Sequence, residues 1–184
     1  MPYLNRDQII ELINKKNIVS SEIINSLQLQ PASLDLTLSN KCYRIKASFI
    51  PNEKPISNII SELLLAKIDL KDEFLLEKNC IYLCELNEKL RLPKNIKGKA
   101  NPKSTTGRLD IFTRIITEHG TEYDFIDYNY KGKLFLEIIP QSFSIKIKKN
   151  TSLNQIRFYE KSDSDIQKKE QKISVHIKKG TVSA

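Results

Sequence analysis

Hydrophobic and polar positions along this chain follow two periods, one helical and one of strands. Between residues 6 and 16, Ile9, Ile10, Leu12 and Ile13 recur at helical spacing with Asp7 and Glu11 near the start, which predicts a short amphipathic helix. A second short helix is expected over 20–26, broken by Gln28-Leu29-Gln30-Pro31. Leu34, Leu36 and Leu38 then alternate with Asp35, Thr37 and Ser39, and Tyr43, Ile45, Ala47 and Phe49 repeat the alternation, the period of half-buried strands. Pro51 to Lys54 reads as a turn. Pro55 opens a stretch whose Ile56, Ile59, Ile60, Leu63 and Leu64 suit a helix packed on a sheet. Beyond it, short segments rich in Ile, Leu, Phe and Tyr at 67–76, 80–86, 95–100, 111–117, 133–139, 143–148 and 154–159 predict strands separated by polar turns.

So many short strands with so few helices describe a closed or sandwiched all-β body, not a βαβ repeat. The pattern changes near Glu160. Lys161-Ser162-Asp163-Ser164-Asp165 and Lys168-Lys169-Glu170-Gln171-Lys172 are polar and weakly patterned, like a linker, before Ile173, Val175 and Ile177 alternate again. The expected organisation is a domain over 1–160 followed by a basic linker at 161–184 that begins one more strand. No internal repeat is evident.

Composition narrows the function classes. With 40% hydrophobic and 28% charged residues, the chain reads as a soluble globular protein. No apolar run is long enough to span a bilayer, and the first seven residues do not make a signal peptide, so a cytoplasmic location is expected. The net charge of +8 is concentrated late: residues 141–184 carry ten Lys/Arg against four Asp/Glu. Beyond Phe143, aromatics interleave that basic stretch only at Phe158 and Tyr159, so a solvated surface or an acidic partner is expected before nucleic acid. Three cysteines, an odd number, fit a reducing compartment better than a disulfide framework. Cys80 and Cys84 flank Tyr82 on one side of a strand and read as small core residues. His119 and His176 fall outside any spacing that would form a zinc site with the cysteines, so no metal ligands are assigned.

The densest candidate chemistry is Pro102-Lys103-Ser104-Thr105-Thr106-Gly107-Arg108, a run of hydroxyls between two cations and containing a glycine, which offers the donors a polyphosphate requires. Its plainer reading is a polar turn. About thirty residues on, Asp127 and Glu137 supply carboxylates for proton transfer, Tyr130 a ring for a sugar or base, and Gly132 a turning point. On a strand, Glu137 shares a face with Lys133, Phe135 and Ile139, a partly apolar setting; its alternative is a structural ion pair with a nearby Lys or Arg. Arg114 and Lys133 are weaker phosphate candidates, read first as surface cations.

Several of these motifs recur in one order. Leu29-Gln30-Pro31-Ala32-Ser33-Leu34-Asp35-Leu36, Tyr43-Arg44-Ile45-Lys46-Ala47-Ser48-Phe49, Ala100-Asn101-Pro102-Lys103-Ser104, Leu134-Phe135-Leu136-Glu137 and Asn154-Gln155-Ile156-Arg157-Phe158 together resemble the deoxycytidine triphosphate deaminases of the trimeric dUTPase superfamily. The likeness covers about residues 5–160 and is nearest to the N-terminal part of the longer, two-part bacterial deaminases. It implies a mainly β, distorted jelly-roll or β-barrel of dUTPase-like type with short peripheral helices, and a homotrimer with sites between subunits. It implies hydrolysis of dCTP to dUTP and ammonia without a catalytic zinc. By resemblance Glu137 is the general acid/base, Ser104 positions water, and Arg108 lies beside the base and phosphates. Lys103, Thr105, Thr106, Asp127 and Tyr130 are the further substrate-binding candidates, with Gln155 on the closing strand. Mg²⁺ is expected to arrive with the nucleotide, held by phosphates and water. Two departures stand out: Lys103 occupies a place where single-domain deaminases commonly have arginine, and Tyr128-Asn129 one where they usually have Pro-Gly. Three functional readings are open: a deaminase, a dUTP pyrophosphatase or bifunctional enzyme, and a nucleotide-binding half that is silent without a missing C-terminal half. Glu137 favours the first, because dUTPases place an apolar residue there.

Overall fold

The computed structural model describes residues 3–52 and 54–161, together with two short strands at His176–Lys178 and Thr181–Ser183. In chain order the elements are α1 (Arg6–Asn14), β1 (Ile18–Ser20), β2 (Leu34–Leu36), β3 (Leu38–Ile45), α2 (Ile56–Leu63), β4 (Leu64–Asp69), β5 (Phe74–Leu76), β6 (Ile81–Arg91) and β7 (Ile96–Pro102). They continue as α3 (Ser104–Arg108), β8 (Ile111–Thr117), β9 (Phe125–Ile126), β10 (Lys131–Pro140), β11 (Ile145–Ile147), β12 (Asn154–Glu160), β13 (His176–Lys178) and β14 (Thr181–Ser183).

The first helix forms where its periodicity places it. Asn5 and Gln8 close a reciprocal capping box, each side chain accepting the other's backbone N–H, which contributes about 1 kcal/mol to the helix start. Ile9 and Leu12 are the residues it buries. No helix forms at 20–26. Asn25 Oδ1 accepts the N–H groups of Leu27 and Gln28, a local turn that competes with helix, and Ile23 is left 90% exposed with no surface to pack on. The stretch 67–76 divides as well: β4 and β5 lie in different sheets, separated by the turn after Asp69.

The principal sheet runs β4-β3-β6-β10-β8, with β1 also paired to β6, and every pairing is antiparallel. A second sheet, β2-β12-β7-β9, faces it, and β5 pairs with β11 alone. The main core lies between the layers: Leu134, Leu136 and Ile138 of β10 meet Leu34, Leu36, Ile156 and Phe158 of the second sheet. Each such side chain, fully buried, contributes roughly 1.5–3 kcal/mol. The outer face of the principal sheet is also covered, by α2, whose Ile56 and Ile60 pack with Ile45, Leu83, Ile116 and Phe135. Burial on both faces explains why β10 reads from Leu134 to Ile139 as an apolar run broken only by Glu137 rather than as an alternating one.

Cys42 and Cys84 stand opposite each other on β3 and β6 and are joined as a disulfide, whereas Cys80 is a free thiol. This corrects the expectation of three unpaired cysteines: the two partners are 42 residues apart and meet only through strand register. Of the late alternating positions, Ile177 falls in β13, which pairs with β14; Ile173 and Val175, with the polar stretch from 162, lie outside the described residues. Among the described residues no helix is long and apolar enough to cross a membrane.

Candidate active site

The hydroxyl run forms a single helical turn, α3, at the end of β7. Lys103 precedes it and is not directed outward: its ammonium pairs with Asp35, whose side chain is only 6% exposed, and its N–H donates to Leu153 O at 3.0 Å. The Thr106 hydroxyl donates to the same carbonyl at 2.8 Å and is buried. These two residues therefore hold the turn in place, a structural use of groups that the sequence offers to a ligand. Ser104 and Arg108, four apart and on one side of the turn, are exposed, as is Thr105. Arg108 makes no ion pair among the described residues. Gly107 meets open space: a Cβ added there would find nothing within 4 Å.

That open space is the wall of a cleft of about 520 Å³ lined by Gly107, Thr113, Arg114, Tyr123, Asp124 and Gln141 among others. Directly behind Arg114 stands Glu137. Antiparallel register places Glu137 of β10 between Arg114 on β8 and Leu83 on β6. Its side chain has no solvent exposure, and its Oε1 accepts from Arg114 Nε at 2.6 Å. Its second oxygen, Oε2, is buried with no hydrogen-bond partner. Buried polar atoms are nearly always satisfied, so an orphaned carboxylate oxygen costs stability and marks a position where a ligand or water is due. The setting combines the two readings of the strand face: an ion pair with Arg114, set beside the buried Leu83 and Phe135.

Arg114 is itself tightly held. Its guanidinium carbon lies 3.7 Å from the centre of the Tyr123 ring and 5.0 Å from that of Phe112, so aromatic faces and a carboxylate fix its plane together. Burial pushes the Tyr123 phenol up. Next to it, Asp124 is pushed up to about 6, chiefly by desolvation, against the pull of the Ile115 N–H that its Oδ1 accepts at 2.7 Å and of the Arg114 charge. Asp124 sits at φ 59°, a left-handed conformation that aspartate tolerates better than most side chains. Arg114 was legible as a weaker phosphate candidate, read first as a surface cation, and Tyr123 and Asp124 carried no signal in the sequence. Their relation to Glu137 depends on which residues face each other across β8 and β10.

Asp127 and Tyr130 do not join this cleft within one chain. β9 pairs with β7 at Gly98 and Lys99, so Asp127 lies opposite Lys97, five residues and about 16 Å along the strand from Pro102 and α3. Asp127 accepts the N–H of Tyr128 at 2.7 Å. The Tyr130 hydroxyl accepts from Glu118 N and donates to Lys133 O, its ring packs on the core, and burial raises its pKa. In the single chain these bonds brace the β9–β10 connection. Gly132 is required here for space, since a Cβ would collide with the Tyr130 hydroxyl and the Glu118 carboxylate. Gln155 accepts from the Ser33 hydroxyl at 2.9 Å, tying β12 to the loop before β2. Among the described residues no cluster of three or more His, Cys, Asp or Glu is arranged to hold a metal ion.

Residues 2–162 match the family described as the 2'-deoxycytidine 5'-triphosphate deaminase (DCD) N-terminal domain. A dCTP deaminase, dUMP-forming, from Methanosphaera stadtmanae is 29% identical over 140 residues, 75% of this chain and 68% of that protein. One of the same name from Nanoarchaeum equitans is 27% identical over 197 aligned positions, 98% of this chain and 96% of its own length. Among solved structures, the 2'-deoxycytidine 5'-triphosphate deaminase from Agrobacterium tumefaciens superposes with a TM-score of 0.83 at 41% identity. The match takes in 85% of this chain but 46% of that one, so the chain spans about half the length of the Agrobacterium protein. With residues 2–162 of its 184 matched to that domain, the chain belongs to the dCTP deaminase family, as a member of its N-terminal domain group.

Proposed function

We propose that this chain serves the hydrolytic deamination of dCTP, with Glu137 as the general acid/base. The reading is carried by one observation: a fully buried carboxylate with one oxygen pinned by Arg114 and the other unpartnered, behind a cleft that the hydroxyl turn borders through Gly107. In the reaction, water adds to C4 of cytosine, the ring nitrogen gains a proton, and the amine leaves as ammonia. A carboxylate held at Oε1 has one working oxygen, Oε2, to accept the water's proton and return it to the ring or the departing amine. Ser104 and Arg108, exposed on one side of α3, are the groups free to orient water and to meet base and phosphate, in their own protomer or across a trimer interface. Thr105 is a further donor; Lys103 and Thr106 contribute by holding the turn. Asp127 and Tyr130 reach a nucleotide only if a neighbouring protomer brings their loop to a cleft. The triphosphate brings its own Mg²⁺, coordinated by phosphate and water.

The names of the Methanosphaera and Nanoarchaeum relatives favour a second, fuller reaction, in which pyrophosphate is also released and the product is dUMP. The partial coverage of the Agrobacterium protein favours a chain that needs another half of the fold to turn over. Separate assays for ammonia and pyrophosphate, with dCTP and then dUTP as substrate, distinguish these readings. Ammonia alone means dUTP as product, ammonia with pyrophosphate means dUMP, and silence relieved by adding a second half means a shared site. Glu137→Gln is expected to abolish ammonia release while dCTP still protects the chain from thermal unfolding. Ammonia release at the parent rate from Glu137→Gln would remove Glu137 from the chemistry.

A further inference from the structure

A second cavity, of about 640 Å³, opens on the outer face of the principal sheet between α2 and strands β3, β4, β6 and β10. Apart from Lys133, a weaker phosphate candidate in the sequence, no residue proposed for deamination lines it. Its apolar wall is Ile56, Ile60 and Leu64 with Phe135, and Lys41, Lys67 and Lys133 stand around it. Charge is unevenly spent among these groups. Glu85, largely buried, lies 3.4 Å from Lys133 and 4.0 Å from Lys41, and Glu118 is engaged by the Lys133 N–H at 3.0 Å. Lys67 makes no ion pair among the described residues, so three ammonium groups share two carboxylates. Tyr43, also lining the cavity, is pushed up by burial and then by Glu85. The volume falls in the range of small-molecule sites, and an apolar wall beside a surplus cation is the pattern that orients an amphipathic anion.

We propose that this cavity is a binding site for a small organic anion with a flat apolar body, separate from the deamination cleft. The body lies against Ile56, Ile60 and Leu64, and the acidic group meets Lys67 with Lys133 beside it. Two exposed positions test it without disturbing the core: Lys67 on β4, and Ser61 on α2, where a larger side chain fills the opening. The probe is 1-anilinonaphthalene-8-sulfonate, followed by fluorescence with the whole chain, folding of each variant being checked by circular dichroism. One saturable site per chain is expected. Lys67→Glu weakens it about tenfold by turning attraction into repulsion. Ser61→Trp weakens it at least as much, the neutral N-phenyl-1-naphthylamine binds more weakly than the sulfonate, and excess dCTP leaves the signal in place. Unchanged affinity in both variants, equal binding of the neutral probe, or displacement by dCTP would overturn the proposal.

Discussion

Breaking the Arg114–Glu137 pair from one side and then from both separates a held carboxylate from a merely neighbouring one. In Arg114→Leu, Glu137 stays in a place with no solvent exposure and both oxygens lack a partner, where now only Oε2 does. Stripping one member from a buried ion pair costs about 3–5 kcal/mol, and loss of the cation's contact with the Tyr123 ring adds up to about 1–2 kcal/mol. For a chain of this size each kcal/mol moves the midpoint of thermal unfolding by about 2–4 °C, so a fall on the order of 10 °C is expected. Glu137→Leu removes the costly carboxylate and puts an apolar group beside Leu83, leaving Arg114, 22% exposed, to turn toward water. The double variant Arg114→Leu/Glu137→Leu should therefore recover most of the loss, with a coupling of about 2 kcal/mol or more in urea melts of all four proteins. Effects that add to within about 0.5 kcal/mol would mean that Arg114 does not hold Glu137, and the assignment of Oε2 as the working oxygen would fall with it.

Gly107→Ala gains a better helix former with nothing in its way, so stability should be unchanged or higher by up to about 1 kcal/mol, while dCTP binding by calorimetry weakens because the methyl enters the cleft. Asp124→Asn tests its raised acidity. A carboxyl at about 6 in the folded chain and near 3.8 when unfolded makes the folded state bind more protons between those values, so its contribution is present at low pH and is lost as pH rises through about 6. The thermal midpoint of the parent should therefore fall relative to Asp124→Asn as pH is raised from about 4 to about 6, and parallel curves across that window would contradict the shift.

The sequence alone determined the class of the fold and named the candidates for the chemistry. Local pattern suffices where one face of an element is buried and the other is wet, as in α1 with Ile9 and Leu12, or where apolar residues are dense, as in β8 over 111–117. It failed at 20–26, where Asn25 offers a turn and Ile23 has nothing to pack on, and at 67–76, where the chain passes from one sheet to another. Ser104, Arg108 and Glu137 were visible as types in an ordered set of motifs. What each one touches was not. The pairing of Arg114 with Glu137 spans 23 residues, that of Lys103 with Asp35 spans 68, and that of Cys42 with Cys84 spans 42. Each is decided by strand register, and register follows from which faces of several strands must be buried together. The same cause pairs Lys103 with Asp35 and sets Asp127 toward the far end of β7. Side-chain chemistry is written residue by residue, but its direction and its partners exist only once the sheets have packed.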